Sequence, residues 1–206
     1  MFFSFDGIDG TGKSTQMRLF CDALLARGDV VVACRDPGST ELGERIREIL
    51  LNSGGGTQIG RRSEMLLYMA ARAQLVEEVI RPALAANKIV VSDRYLLANI
   101  VYQGHAGGLD PEAIRHVGGV ATAGIMPNCI FLLDMPAEAA DRRLNRPLDR
   151  MENQGKEYRR RLREGFLAEA ARARSIVHII HADRPIEVVH SDIWAIATGL
   201  RAQAAE

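Results

Sequence analysis

The run Gly7-Ile8-Asp9-Gly10-Thr11-Gly12-Lys13-Ser14 constrains this chain more than any other stretch. It fits the pattern GxxxxGK[ST] without a gap. Residues 1–5 before it form a short apolar run that stops at Asp6-Gly7, as a buried parallel strand does. After it, Met17, Phe20, Cys21, Leu24 and Leu25 recur at helical spacing, and Gly28 ends the pattern as a C-cap. A glycine-rich turn between strand and helix lets backbone N–H groups curl around phosphate oxygens, while the helix points its positive end at them. In such a loop Lys13 is expected to bridge the β- and γ-phosphates of ATP, and the Ser14 hydroxyl to bind Mg²⁺. Residues 7–15, through Thr15, are therefore the expected ATP-binding segment.

The remaining chain alternates short apolar runs with amphipathic ones. Strand patterns lie at residues 30–34, 89–92, 129–133 and 176–180. Helical patterns lie near 42–50, 63–80, 96–103, 111–122, 137–145, 156–174 and 185–202. This alternation predicts an α/β, P-loop NTPase fold: a five-stranded parallel sheet with helices on both faces. Residues 30–34 read as a second buried strand, the helix at 63–80 is expected to stop before Pro82, and residues 104–108 read as a loop. Ligands on such sheets bind beyond the carboxyl ends of the strands, where Asp6, Asp36, Asp93 and Asp134 all fall. With 206 residues, no repeat and no linker, one domain over 1–206 is expected.

Composition removes several function classes. Lysine plus arginine equals aspartate plus glutamate at 26 each, so no basic field supports a dedicated nucleic-acid binder. Cys21, Cys34 and Cys129 show neither CxxC nor zinc spacing and read as small hydrophobes of a reducing cytosol. No apolar run approaches the ~20 residues of a membrane span, and MFFSFDGIDG carries no basic leader, so a cytoplasmic protein is expected. No NKxD motif suggests a GTPase, and Asp134 has no neighbouring glutamate to suggest a remodelling ATPase. What remains is a small-metabolite or nucleotide kinase, and the rival readings are a kinase acting on another nucleotide or a deoxynucleoside and a non-catalytic nucleotide binder on the same fold.

Asp93-Arg94-Tyr95 follows an apolar strand, where the carboxylate can hold magnesium waters and the arginine can span phosphates, or the two can form a structural ion pair. Arg72 lies within the largely apolar Leu67–Ala73 stretch and needs a partner, either an internal carboxylate or a ligand. Taken in order, GIDGTGKST, RDPGST, LLYMAAR, SDRY, AN-IVYQG and RPLDRMEN resemble the bacterial thymidylate kinases over nearly the whole chain.

That resemblance implies transfer of the γ-phosphate of ATP–Mg²⁺ to thymidylate by a soluble homodimer. It implies that Tyr68 stacks on thymine, that Arg72 donates to a thymine carbonyl, and that Gln103 with Asn99 reads the remaining base edge. Tyr102 then matches a position linked to the 2′-deoxy sugar, while Arg47 and Arg94 hold the acceptor phosphate beside Asp36 and Pro37. Ser14 and Asp93 become the metal-binding pair. Lys13, Asp9 and Arg94, with Arg146 and Arg150 from a mobile lid near 142–155, carry the transfer. Composition alone reads Arg142, Arg143, Arg146 and Arg150 as a solvated helix face. Some family members instead place an arginine inside the loop, where this chain has Gly10, so the lid becomes the natural source of a cation. The chain departs from the family pattern at Asp6 and Asp36, commonly glutamate, at Ser39, commonly glycine, and at His181, often aspartate.

Overall fold

A computed structural model of the chain describes residues 1–51, 58–144 and 155–203. Five strands, β1 (Phe2–Asp6), β2 (Val31–Arg35), β3 (Ile89–Asp93), β4 (Cys129–Asp134) and β5 (Val177–His181), pair in parallel in the order β2-β3-β1-β4-β5. Between them run α1 (Lys13–Ala26), α2 (Glu41–Leu51), α3 (Arg61–Leu75), α4 (Arg81–Ala85), α5 (Leu96–Asn99) and α6 (Pro111–Thr122). The helices α7 (Ala137–Arg142), α8 (Lys156–Arg172) and α9 (Ile186–Gln203) complete the described chain.

The central strand explains why both sheet faces are covered. Phe3 and Phe5 point to one face, where Phe3 meets Phe20 of α1 edge-on at 5.1 Å between centroids. Phe2 points to the other and meets Tyr95 edge-on, also at 5.1 Å. Each buried aromatic contributes roughly 1.5–3 kcal/mol by leaving water, so a strand with phenylalanines on both faces is stable only when helices pack on both sides.

Strand order also creates the site. The chain passes from β1 to β2 over the position of β3, then from β3 across β1 to β4. That reversal opens a crevice beyond the carboxyl end of β1. The register sets Phe5 opposite Asp93, Asp6 opposite Leu132, and Arg35 opposite Asp93, bringing three strand ends to one rim.

Several expectations are corrected. The second strand is an edge, not a buried strand: only Cys34 is buried, and Ala33 is exposed. Position in the sheet decided this, because β2 has a neighbour on one side alone. The helix expected to stop before Pro82 continues to Ala85 through a π-helical segment, Val76–Ile80. The Arg81 amide donates to the Val76 carbonyl five residues back, directly before the proline that has no N–H to donate. Residues 100–106 are also π-helical, so three of the five residues of the expected loop at 104–108 are helix. The helix expected at 137–145 ends at Arg142. Among the described residues, no helix is long and apolar enough to cross a membrane.

Candidate active site

A cleft of about 840 Å³ opens at the rim of the sheet, lined on one side by Asp9 to Gln16 and on the other by Tyr68, Arg72, Asn99 and Gln103. The loop between β1 and α1 is braced internally, since Thr11 Oγ1 donates to the Ile8 carbonyl at 2.9 Å. Lys13 is buried, and its Nζ donates to the Ile8 carbonyl at 3.0 Å and to Asp9 Oδ1 at 3.3 Å. Gly10 has φ +91°, and a Cβ there would lie 2.2 Å from the Ala140 carbonyl oxygen of α7. No side chain fits at that position unless α7 moves.

Arg94 crosses from the end of β3 to the same loop. It donates to the Gly7 carbonyl at 3.0 Å and to Asp9 Oδ1 at 2.7 Å, and its guanidinium carbon lies 4.9 Å from the centre of the Tyr102 ring. Its backbone has φ 67°, uncommon for a residue with a side chain, and three side-chain hydrogen bonds hold it there. Tyr102 donates to Asp9 Oδ2 at 3.0 Å. Burial by itself would raise the Asp9 carboxyl, but Arg94 and Lys13 outweigh it and hold the group far below the usual carboxylate range.

The acceptor side is equally connected. Arg72 is buried at 1% exposure and donates Nε to Asp36 Oδ2 at 2.5 Å and Nη1 to Asn99 Oδ1 at 3.1 Å. Its required partner is thus the internal carboxylate, and the cleft reaches the same guanidinium. Asn99 donates to Gln103 Oε1, and Gln103 donates to Glu64 Oε1. Arg47 donates to the Pro37 carbonyl at 3.0 Å, and Asp36, Pro37 and Arg47 all line the cleft. Ser39, where the family commonly has glycine, has φ 63°. Its amide donates to Glu44 Oε1 at 2.7 Å and its hydroxyl accepts from the Arg35 amide at 2.9 Å, which offsets the strain.

For a divalent cation the residues fit. Asp93 keeps a buried Oδ1 with no protein hydrogen-bond partner, and the Ser14 side chain is exposed at the start of α1. Hard oxygen donors few in number suit Mg²⁺, which keeps waters and phosphate oxygens rather than a protein cage. Among the described residues, no cluster of three or more acidic, histidine or cysteine side chains forms such a cage.

Not every singled-out position falls in view. Arg146 and Arg150 lie outside the described residues. Arg143 donates to the Ala182 carbonyl and to Asp183 Oδ1, each at 3.2 Å, tying the end of α7 to the loop after β5. Asp134 accepts two bonds from Arg163, at 2.7 and 2.9 Å, and does not line the cleft. Two participants escaped the sequence reading. Arg159 of α8 is buried and donates to the Asp9 carbonyl at 3.0 Å. Glu64 is buried behind Gln103, although a charge in the first turn of a helix ordinarily faces water.

A sequence profile of the thymidylate kinase family matches residues 5–193. The chain belongs to that family. It is 42% identical over 191 residues to the thymidylate kinase of Rhodopirellula baltica, covering 93% of this chain and 77% of that one. It is 43% identical over 199 residues to the thymidylate kinase of Pelotomaculum thermopropionicum, covering 95% and 92%. Among solved structures it is similar to the crystal structure of thymidylate kinase from Ehrlichia chaffeensis, with TM-score 0.77 and 28% identity over 96% of this chain and 98% of that one. Family membership and the parallel sheet together make this an ATP-dependent phosphoryl-transfer enzyme on a P-loop fold.

Proposed function

We propose that this enzyme phosphorylates thymidylate to the diphosphate by direct in-line transfer from ATP. The observation that carries this reading is the cleft itself: a phosphate-binding loop on one wall, and an aromatic ring with arginine and two amides on the other. Lys13 and the loop amides of residues 7–15 hold the triphosphate. Arg47 and Arg94 hold the acceptor phosphate, with Asp36 and Pro37 beside it. Tyr68 stacks on the base, and Arg72, Asn99 and Gln103 meet its polar edge. Tyr102, held by its bond to Asp9, favours the 2′-deoxy sugar, a role supported by its place on the cleft wall.

No enzyme nucleophile is needed, because the acceptor phosphate oxygen is already anionic. Catalysis is then positioning plus charge stabilisation. Ser14 and Asp93 would hold Mg²⁺, which neutralises charge on the phosphate oxygens when bound. A side chain at Gly10 would clash with α7, so positive charge beyond that of Lys13 reaches the transferred group from outside the loop, with Arg146 and Arg150 the lid candidates. The whole chain acts as one catalytic domain in the cytoplasm, where free thiols such as Cys21, Cys34 and Cys129 persist. The assembly is a homodimer, supported by the exposed apolar residues Leu42 and Ile49 of α2 and Leu66 of α3.

The test is turnover of the purified chain with ATP, Mg²⁺ and a panel of nucleoside monophosphates. Thymidylate is the expected preferred acceptor. Deoxyuridylate should follow as a weaker one, because the thymine methyl contributes only about 0.8 kcal/mol of burial. Lys13→Ala should lower turnover by roughly 10²-fold or more. Preference for a purine monophosphate, or no diphosphate at all, would end this reading.

A further inference from the structure

The polar wall of the cleft continues beyond it. Arg72 Nη1 donates to Asn99 Oδ1 at 3.1 Å, Asn99 Nδ2 to Gln103 Oε1 at 2.6 Å, and Gln103 Nε2 to Glu64 Oε1 at 2.9 Å. Arg72, Asn99 and Gln103 line the cleft, whereas Glu64 is not among its lining residues. All four are buried.

The ends of this chain give it a direction. A guanidinium has donors only, and the Glu64 oxygen that faces Gln103 accepts from it. Each amide between them has one orientation that satisfies both neighbours. Turning either by half a rotation sets N–H against N–H on one side or oxygen against oxygen on the other. Burial leaves little solvent to repair the mismatch, at a cost comparable to a lost hydrogen bond. Arg72 is itself pinned from behind by Asp36 at 2.5 Å, so the donor end does not turn. Glu64 is the stop at the other end.

We infer that Glu64 is a positioning residue for base selection: by accepting from Gln103 it fixes which amide atoms Gln103 and Asn99 present to the pyrimidine edge. This rests on the thymidylate reading above. Thymine offers an acceptor at position 4, and cytosine offers an amino donor there. An amide free to rotate serves either base, whereas a locked amide serves one. Without an acceptor at position 64, only the bond from Asn99 holds Gln103 in its orientation, and discrimination against the 4-amino base falls toward what Arg72 and Asn99 supply.

The experiment compares kcat/KM for thymidylate and deoxycytidylate side by side on the full chain. Glu64→Met follows the glutamate's course without an acceptor, and its thymidylate-over-deoxycytidylate ratio should fall about tenfold. The loss should appear mainly in KM. Glu64→Gln retains an amide oxygen facing Gln103 and should restore most of the ratio. Because the ratio is taken within one preparation, a smaller folded fraction lowers both rates alike and leaves it unchanged. Glu64→Ala is the second variant should the methionine variant not fold. An unchanged ratio in the variants lacking the acceptor, with wild type active on thymidylate, overturns the role of Glu64, and so does an equal fall in the Met and Gln variants. Wild-type inactivity on thymidylate would instead overturn the function on which the inference stands.

Discussion

Asp6 ends a buried strand on a carboxyl group that is fully enclosed, with Ser4 Oγ donating to Oδ2 at 3.0 Å and no protein partner for Oδ1. Burial raises this carboxyl to about 7, with Arg94, the Ser4 bond and Lys13 pulling the other way. A carboxyl whose folded value lies above its unfolded value stabilises the fold at low pH and loses that contribution as pH rises. Between about pH 4 and pH 7 the unfolded chain has released this proton while the folded one still holds it, so the wild type loses stability across that window. Asp6→Asn cannot ionise and lacks that slope. Its melting temperature relative to wild type should therefore climb between about pH 4 and 7 and level off above, with a ceiling of ~4 kcal/mol in the difference. Parallel melting curves for the two proteins from pH 4 to 8 would sink this account.

At the scale of elements, two packing contacts shape the site. The loop after β1 lies against α7, because Gly10 leaves room for the Ala140 carbonyl. Two loop glycines separate clash from backbone strain. Gly10 and Gly12 have nearly the same φ, +91° and +92°, but a Cβ at Gly12 meets nothing within 4 Å. Gly12→Ala should cost about 1 kcal/mol from the left-handed conformation alone. Gly10→Ala should cost roughly 1–3 kcal/mol more, because backbone of α7 must shift. Thermal melting of both variants is the measurement, and equal losses would show that α7 yields freely. The second contact is the π-helical segment Ile100–Ala106, which seats Tyr102 and Gln103 in sequence on the same cleft. An α-helix would turn consecutive side chains about 100° apart, and the wider π turn narrows that angle.

For the whole molecule, the unsettled surface is apolar. Leu42, Ile49 and Leu66 are each about half exposed, on two helices that pack together. As part of a homodimer interface they would leave water, and a charge placed among them would stay buried and unpaired. Light scattering should give twice the chain mass for the wild type, and Leu66→Glu should shift the population to monomer. A wild type that scatters as a monomer at micromolar concentration would remove the dimer from the proposal.

The P-loop and the alternation of strands with helices were legible in the chain because both are local: glycine spacing sets a turn, and apolar periodicity sets an element. Six ordered motifs likewise carried the family, and the cleft gathers Asp36, Tyr68, Arg72, Asn99, Tyr102 and Gln103 from among the positions they mark. Partnership was not legible. Arg72 finds Asp36 across 36 residues and Arg159 finds the Asp9 carbonyl across 150, distances in sequence that carry no periodic signal. The exposure of β2 was equally hidden, since an edge and a centre are properties of strand order. Glu64 reads as a solvated first-turn charge and becomes the far end of a buried relay only when α3 lies beside residues 100–106. Local chemistry chose the elements, and proximity in space chose which charges meet.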